Sequence, residues 1–194
     1  MLLQILTYTH HLTTMLFGIF LSAFFLGVKQ NKKNVCILLG GGAVSGLFFL
    51  ICNTVFGSLF TEAVYPIFVH LPLFLLLVFY YRFRWLPSII SIMTAYLCCQ
   101  FSNWAGIFAL SLSGLDWVYY LVRIIVTVAV FAFLSRYLCQ TTALLFAKSD
   151  RELYILGAMP FVYYVFDYST TKFSMLLYSG NKVVVEFLAF AMCI

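Results

Sequence analysis

Charge is what this sequence has least of: six Asp and Glu and eleven Lys and Arg among 194 residues, 9% of the chain. A water-soluble domain carries about 25% charged and about 45–50% apolar residues, whereas here 64% are hydrophobic and 20% aromatic. A fold of this length cannot hide that much apolar surface from water, so lipid must be part of its solvent. The basic residues fall in ones to threes with no run of five. This argues against a nucleic-acid partner despite the net charge of +5, and for charges set beside membrane segments.

Other absences narrow the field. No Lys or Arg precedes the first apolar run, so the basic region that opens a cleaved secretory signal is missing. No CxxC or HxxxH spacing points to a metal. The three histidines, His10, His11 and His70, and the lack of two deep acids on neighbouring segments leave proteolysis by paired acids or clustered His ligands unsupported. The six cysteines, Cys36, Cys52, Cys98, Cys99, Cys139 and Cys193, lie within or at the ends of apolar runs. They read as small reduced hydrophobes in helix packing. The apolar stretches are continuous, not the alternating segments of about ten residues that a β-barrel shows.

What is present is a series of runs near the roughly 20 residues that a membrane helix needs. They cover about Leu6–Val28, Val35–Phe56, Val64–Tyr81, Leu86–Leu110, Trp117–Leu138 and Glu152–Tyr168, the last interrupted by Pro160. The links include Ser111–Asp116, the long polar Gln140–Arg151 and Ser169–Lys182. Val183–Ile194 begins a seventh run but has only twelve residues, too short to span. The expected fold is all-α: a polytopic transmembrane bundle of six complete helices plus a truncated seventh, forming one domain over residues 1–194.

Loop charges give direction. One side holds Lys29, Lys32, Lys33, Arg82, Arg84, Arg136, Lys148 and Arg151, and the other holds Lys172 and Lys182. Eight against two puts the N-terminus outside. Trp117, Tyr119 and Tyr120 then suit an outer aromatic belt, and Tyr80, Tyr81 and Trp85 an inner one.

Polar residues inside these runs are the candidates for function, because a buried ionisable group in a membrane is costly. His70 sits between Pro66 and Pro72; the plainer reading is a neutral ring bonded to a carbonyl that one proline left free. Tyr96, Gln100, Asn103 and Trp104 fall at helical spacing. Arg123 lies about 9 Å past Trp117 at 1.5 Å per residue, and either snorkels to the interface or pairs with Asp167 or Glu186. By orientation all of these gather in the outer half of the bundle, which suits an outward-open site for a small-molecule or peptide ligand. Gly40, Gly41, Gly42 and Gly46, with a GxxxG at Gly42 and Gly46, read as close helix packing and not a phosphate loop.

Tyr65–Trp104 contains Tyr65-Pro66, His70-Leu71-Pro72, the aromatic-basic turn Tyr80–Trp85, and Thr94–Gln100 leading to Trp104. This stretch resembles the N-terminal membrane domain of AgrC-like sensor histidine kinases with a GHKL-type ATP-binding domain. The resemblance implies a two-component receptor in a bacterial cell membrane, signalling to a homodimeric kinase. The phospho-accepting histidine, ATP and magnesium would belong to a cytoplasmic part after residue 194. His10 and His11, taken as outside and ahead of the first span, do not fit the phospho-acceptor role. No cofactor is expected in these 194 residues, and no catalysis. The alternatives are the substrate-binding membrane subunit of a vitamin-type transporter, or a small membrane peptidase using His70 with Cys98 or Cys99.

Overall fold

The structure, a computed structural model, describes residues 2–57, 60–61 and 64–172. Among the described residues every regular element is a helix. In chain order they are α1 (Leu2–Phe25), α2 (Lys32–Phe56), α3 (Pro66–Tyr80), α4 (Trp85–Ser113), α5 (Asp116–Phe146) and α6 (Asp150–Lys172). Three of them, α2, α4 and α5, are long and apolar enough to cross a membrane, and α3 is apolar but shorter. The expected seventh segment, Val183–Ile194, lies outside the described residues.

Local chemistry sets the helix ends. The Asn31 side chain accepts from the Asn34 backbone N–H at 2.8 Å, which caps the start of α2. At the end of α4, Gly114 takes the left-handed conformation (φ 66°) that lacks penalty only without a Cβ, and its N–H bonds the Leu110 carbonyl at 2.8 Å. Two links are therefore shorter than the sequence suggests. α4 runs on through Ser113, so the expected loop at Ser111–Asp116 shrinks to Gly114 and Leu115. The larger correction concerns Gln140–Arg151, expected as the longest polar link. α5 instead continues through a widened turn at Leu134–Leu138 to Phe146. The cause is packing: Cys139 and Phe146 are buried, and the Phe146 ring meets Phe25 at 6.4 Å.

α1, which is not among the three helices long and apolar enough to cross a membrane, is the axis of the bundle, packing on α2, α4 and α5. Phe17, Phe20 and Phe24 on α1 surround Phe131 of α5 with ring centroids at 6.1, 6.4 and 6.3 Å. Leu21 and Phe25 of α1, Leu38 of α2, Leu77 of α3 and Leu153 of α6 complete a core closed to solvent. Of the small residues of α2, Gly42 and Gly46 pack on α1, while a Cβ at Gly41 would meet Leu76 of α3 and one at Gly40 would have no neighbour within 4 Å among the described residues. A Cβ at Gly42 would stand 3.2 Å from Ile19 Cδ1, and one at Gly46 would stand 3.4 Å from Met15 Cε. Outward, α2, α5 and α6 expose Val44, Phe48, Ile125, Val128, Ile155 and Phe161. A belt of bare large aliphatics and aromatics on several helices is a surface made for lipid, not water.

The three basic loops meet at one end. Arg84 donates from Nη1 to Asp150 and from Nη2 to the Lys148 carbonyl, both at 2.7 Å, and Tyr81 donates to Asn34 at 3.5 Å. Both partners of the Arg84–Asp150 pair are half exposed, so it contributes about 0–1 kcal/mol and acts mainly as a register mark.

α6 lies tightly on α4. A Cβ at Gly157 would come within 2.7 Å of two Ile90 side-chain atoms. Gly157→Leu should therefore force the helices apart at a cost of about 1–3 kcal/mol, read as a lower midpoint of thermal unfolding in detergent. An unchanged midpoint would show that Ile90 turns aside freely.

Candidate functional site: a directed polar relay on a cavity wall

Away from the basic loops, five side chains from α4, α5 and α6 form one hydrogen-bonded line. Arg123 donates from Nη1 to the Tyr119 hydroxyl, one helical turn earlier on α5. Tyr119 donates across to Asn103 Oδ1 of α4 at 3.3 Å. Asn103 Nδ2 donates to Gln100 Oε1 at 3.3 Å, and Gln100 Nε2 to Asp167 Oδ2 of α6 at 3.4 Å. Tyr96 donates to the same carboxylate oxygen at 2.5 Å. Every bond points the same way, from the guanidinium toward the carboxylate. A line of dipoles so aligned polarises itself and carries a net positive and a net negative end.

Gln100, Asn103 and Asp167 are buried, so each bond of the line also discharges a desolvation cost. Arg123 packs inward: its guanidinium lies over the Tyr119 ring, 5.1 Å from the centroid. The slot for its stem is Gly106, where a Cβ would collide with Arg123. Arg123 therefore does not snorkel. It also does not pair directly with Asp167; the relay stands between the two charges.

His70 joins from α3. Its Nδ1 is 2.8 Å from the Tyr164 hydroxyl, and its ring meets Tyr96 edge-on at 6.0 Å. Tyr96 and Tyr164 in turn meet at 4.9 Å. The partner of His70 is thus a phenol of α6, not the proline-freed carbonyl of the plainer expectation. Pro66–His70 is wound in a wide turn in which the Leu71 N–H reaches back to the Pro66 carbonyl. Such wide turns re-aim side chains and recur at functional sites.

These groups line a cavity of about 1100 Å³ bounded by all six helices. Of the expected site residues, His70, Tyr96, Gln100, Asn103, Arg123 and Asp167 all reach it. Trp104 does not line it. At 100° per residue it stands about 100° around α4 from Asn103, and its ring packs on Phe101 and Tyr163. Glu186 lies outside the described residues.

The structure adds partners that the sequence reading assigned elsewhere. Tyr119, expected in an aromatic belt, is the hinge of the relay. His10, expected ahead of the first span, is inside α1, buried, 3.3 Å from Thr14 Oγ1, and on the cavity wall. Tyr164 was not singled out at all, although it lies one helical turn before Asp167. Among the described residues no three His, Cys, Asp or Glu side chains group in a way that could hold a metal ion. Their cysteines are all free thiols. The chain matches no protein-family model, no curated protein and no solved structure.

Proposed function

We propose that this chain is the membrane-embedded input domain of a GHKL-type sensor histidine kinase, with its N-terminus outside and seven spans. In this reading it detects an extracellular small molecule or peptide and passes the signal inward along its last helix. The observation that supports it best is the relay itself. One ligand in the cavity can exchange hydrogen bonds with groups on three helices, and rewiring any of them changes how α4, α5 and α6 are tied together. A signal arises only if the ligand binds two arrangements of those ties with different affinity. ATP and magnesium belong to the kinase part that the resemblance implies after residue 194, as does homodimerisation.

The reading frame beyond Ile194 tests the proposal directly. A helix bearing a phospho-accepting histidine, followed by an ATP-binding domain, is the expected continuation. A stop codon shortly after Ile194 would sink the receptor and favour the transporter subunit.

Orientation has its own test. In a background with all cysteines replaced, Lys32→Cys at the basic end should resist a membrane-impermeant maleimide in intact cells, and Ser113→Cys should react. The opposite pattern would reverse the topology and put the cavity on the cytoplasmic side.

A further inference from the structure

We infer that the cavity takes an amphipathic monoanion, its oxyanion seated on the Arg123 guanidinium and its apolar body lying along α1 and α3. This deepens, and rests on, the receptor reading. Arg123 is an incompletely used cation. Arg123 donates from Nη1 to Tyr119, while its Nε is buried with no hydrogen-bond partner. Among the described residues no carboxylate lies within ion-pair distance of it. A guanidinium held in an apolar bundle on one neutral hydrogen bond is costly. Its planar fork matches a carboxylate or phosphate with two parallel bonds.

The rest of the site points to the same sign. The carboxylate on the cavity wall, Asp167, accepts from Tyr96 and Gln100, both on Oδ2. The relay directs its donors toward Asp167 and leaves the positive end at Arg123. The remaining wall is mostly apolar, with Met15, Ile19, Phe49, Leu50, Val69 and Leu73, and His10, Thr14 and Asn53 add polar groups to it. A volume of about 1100 Å³ lies at the top of the range for small-molecule sites. It has room for an acyl chain or a short apolar peptide behind the charged group.

Decanoate and decanamide share an apolar body and differ in the charge of the head. Titrated onto the protein in phosphatidylcholine nanodiscs and followed by tryptophan fluorescence and thermal midpoint, decanoate should bind at least tenfold tighter than the amide. Arg123→Gln should lower decanoate to the affinity of the amide and leave the amide unchanged, whereas Arg123→Lys should keep part of the preference. Equal affinities for acid and amide in the wild-type protein would overturn the inference, and that comparison needs no variant to fold. So would a preference that survives Arg123→Gln. Phosphatidylglycerol added to the nanodiscs should not compete; displacement of decanoate by it would assign the oxyanion to a lipid phosphate and overturn the free-ligand assignment. Because binding is read without a kinase, the two proposals fail separately. A clear acid preference together with a stop codon shortly after Ile194 would sink the receptor and leave the anion site standing.

Discussion

Alanine in place of Gly106 should break the relay at its positive end while Gly18→Ala, an equal change on α1, does nothing harmful. A Cβ at position 106 collides with Arg123 Cγ and would stand 3.0 Å from Cδ and 3.1 Å from Tyr119 Cδ2. Cγ is close to the root of the side chain and has no room to drift. Arg123 must change its first torsion, and a helix restricts that torsion to few wells. Otherwise α4 and α5 must part. Either route costs about 1–3 kcal/mol, and the first also removes the bond to Tyr119 and the cation from its ring. At Gly18 nothing lies within 4 Å of the added carbon, so alanine there should be neutral or stabilise by up to about 1 kcal/mol through lost chain freedom in the unfolded state. The check is a pair of thermal unfolding curves in the same detergent; decanoate binding is measured on Gly106→Ala alone, because Gly18 itself lines the cavity. Gly106→Ala should lower the midpoint and lose the acid preference together. A variant that keeps both would mean that the Arg123 slot is looser than its geometry implies.

The contrast between Gly106 and Gly18 shows what the sequence could and could not convey. Helix positions followed from apolar run length, because a run of about 20 apolar residues has few other uses. Five of the six described helices start within a few residues of the expected place, and the sixth, α1, starts earlier. The extension of α5 to Phe146 was hidden because Gln140, Thr141 and Thr142 read as a link, while the burial of Cys139 and Phe146 that outweighs them is tertiary. The central place of α1 was hidden for a related reason. His10 and His11 made its start look like an outer flank, yet polar groups in a membrane bundle turn inward.

The convergence of Gln100, Asn103, Arg123 and Asp167 was legible from depth alone: alternating orientation carries each of them to the same end of the bundle. Their connection was not. Tyr119 and Tyr164 each sit one turn from a charged member of the site, the spacing at which helical neighbours touch. In a chain with thirteen tyrosines, nothing in the sequence distinguishes a tyrosine that bonds a relay from one that anchors an interface. Trp104 was misplaced by the opposite error, because one extra residue past Asn103 is enough to leave the face. Arg123 was expected to snorkel or to pair with Asp167 or Glu186; instead three neutral side chains stand between Arg123 and Asp167.

Removing the carboxylate should show how far this intervening line acts as a unit. Asp167→Ala leaves the Tyr96 hydroxyl and the Gln100 amide without their acceptor, both inside the bundle. A buried donor left unsatisfied costs about 1–3 kcal/mol in soluble proteins. Polar pairs between membrane helices are worth about 0.6 kcal/mol on average and about 1.7 at most, since the unfolded chain in lipid also finds partners. Two stranded donors on a wall with few replacements place the expected loss at about 1–3 kcal/mol. Asp167→Asn keeps an acceptor oxygen and should lose less than half as much stability, but it removes the negative end of the line. The informative comparison is therefore the double variant Asp167→Asn with Arg123→Gln. The two residues do not touch, so independent contacts predict that their effects on unfolding simply add. A polarised line predicts that the second substitution costs less once the first has removed the opposite end, with a coupling of at least about 0.5 kcal/mol. Strict additivity would reduce the relay to a row of neighbouring pairs. The cavity would then have polar groups within reach of a ligand but no route by which binding at Arg123 could alter what α6 feels at Asp167.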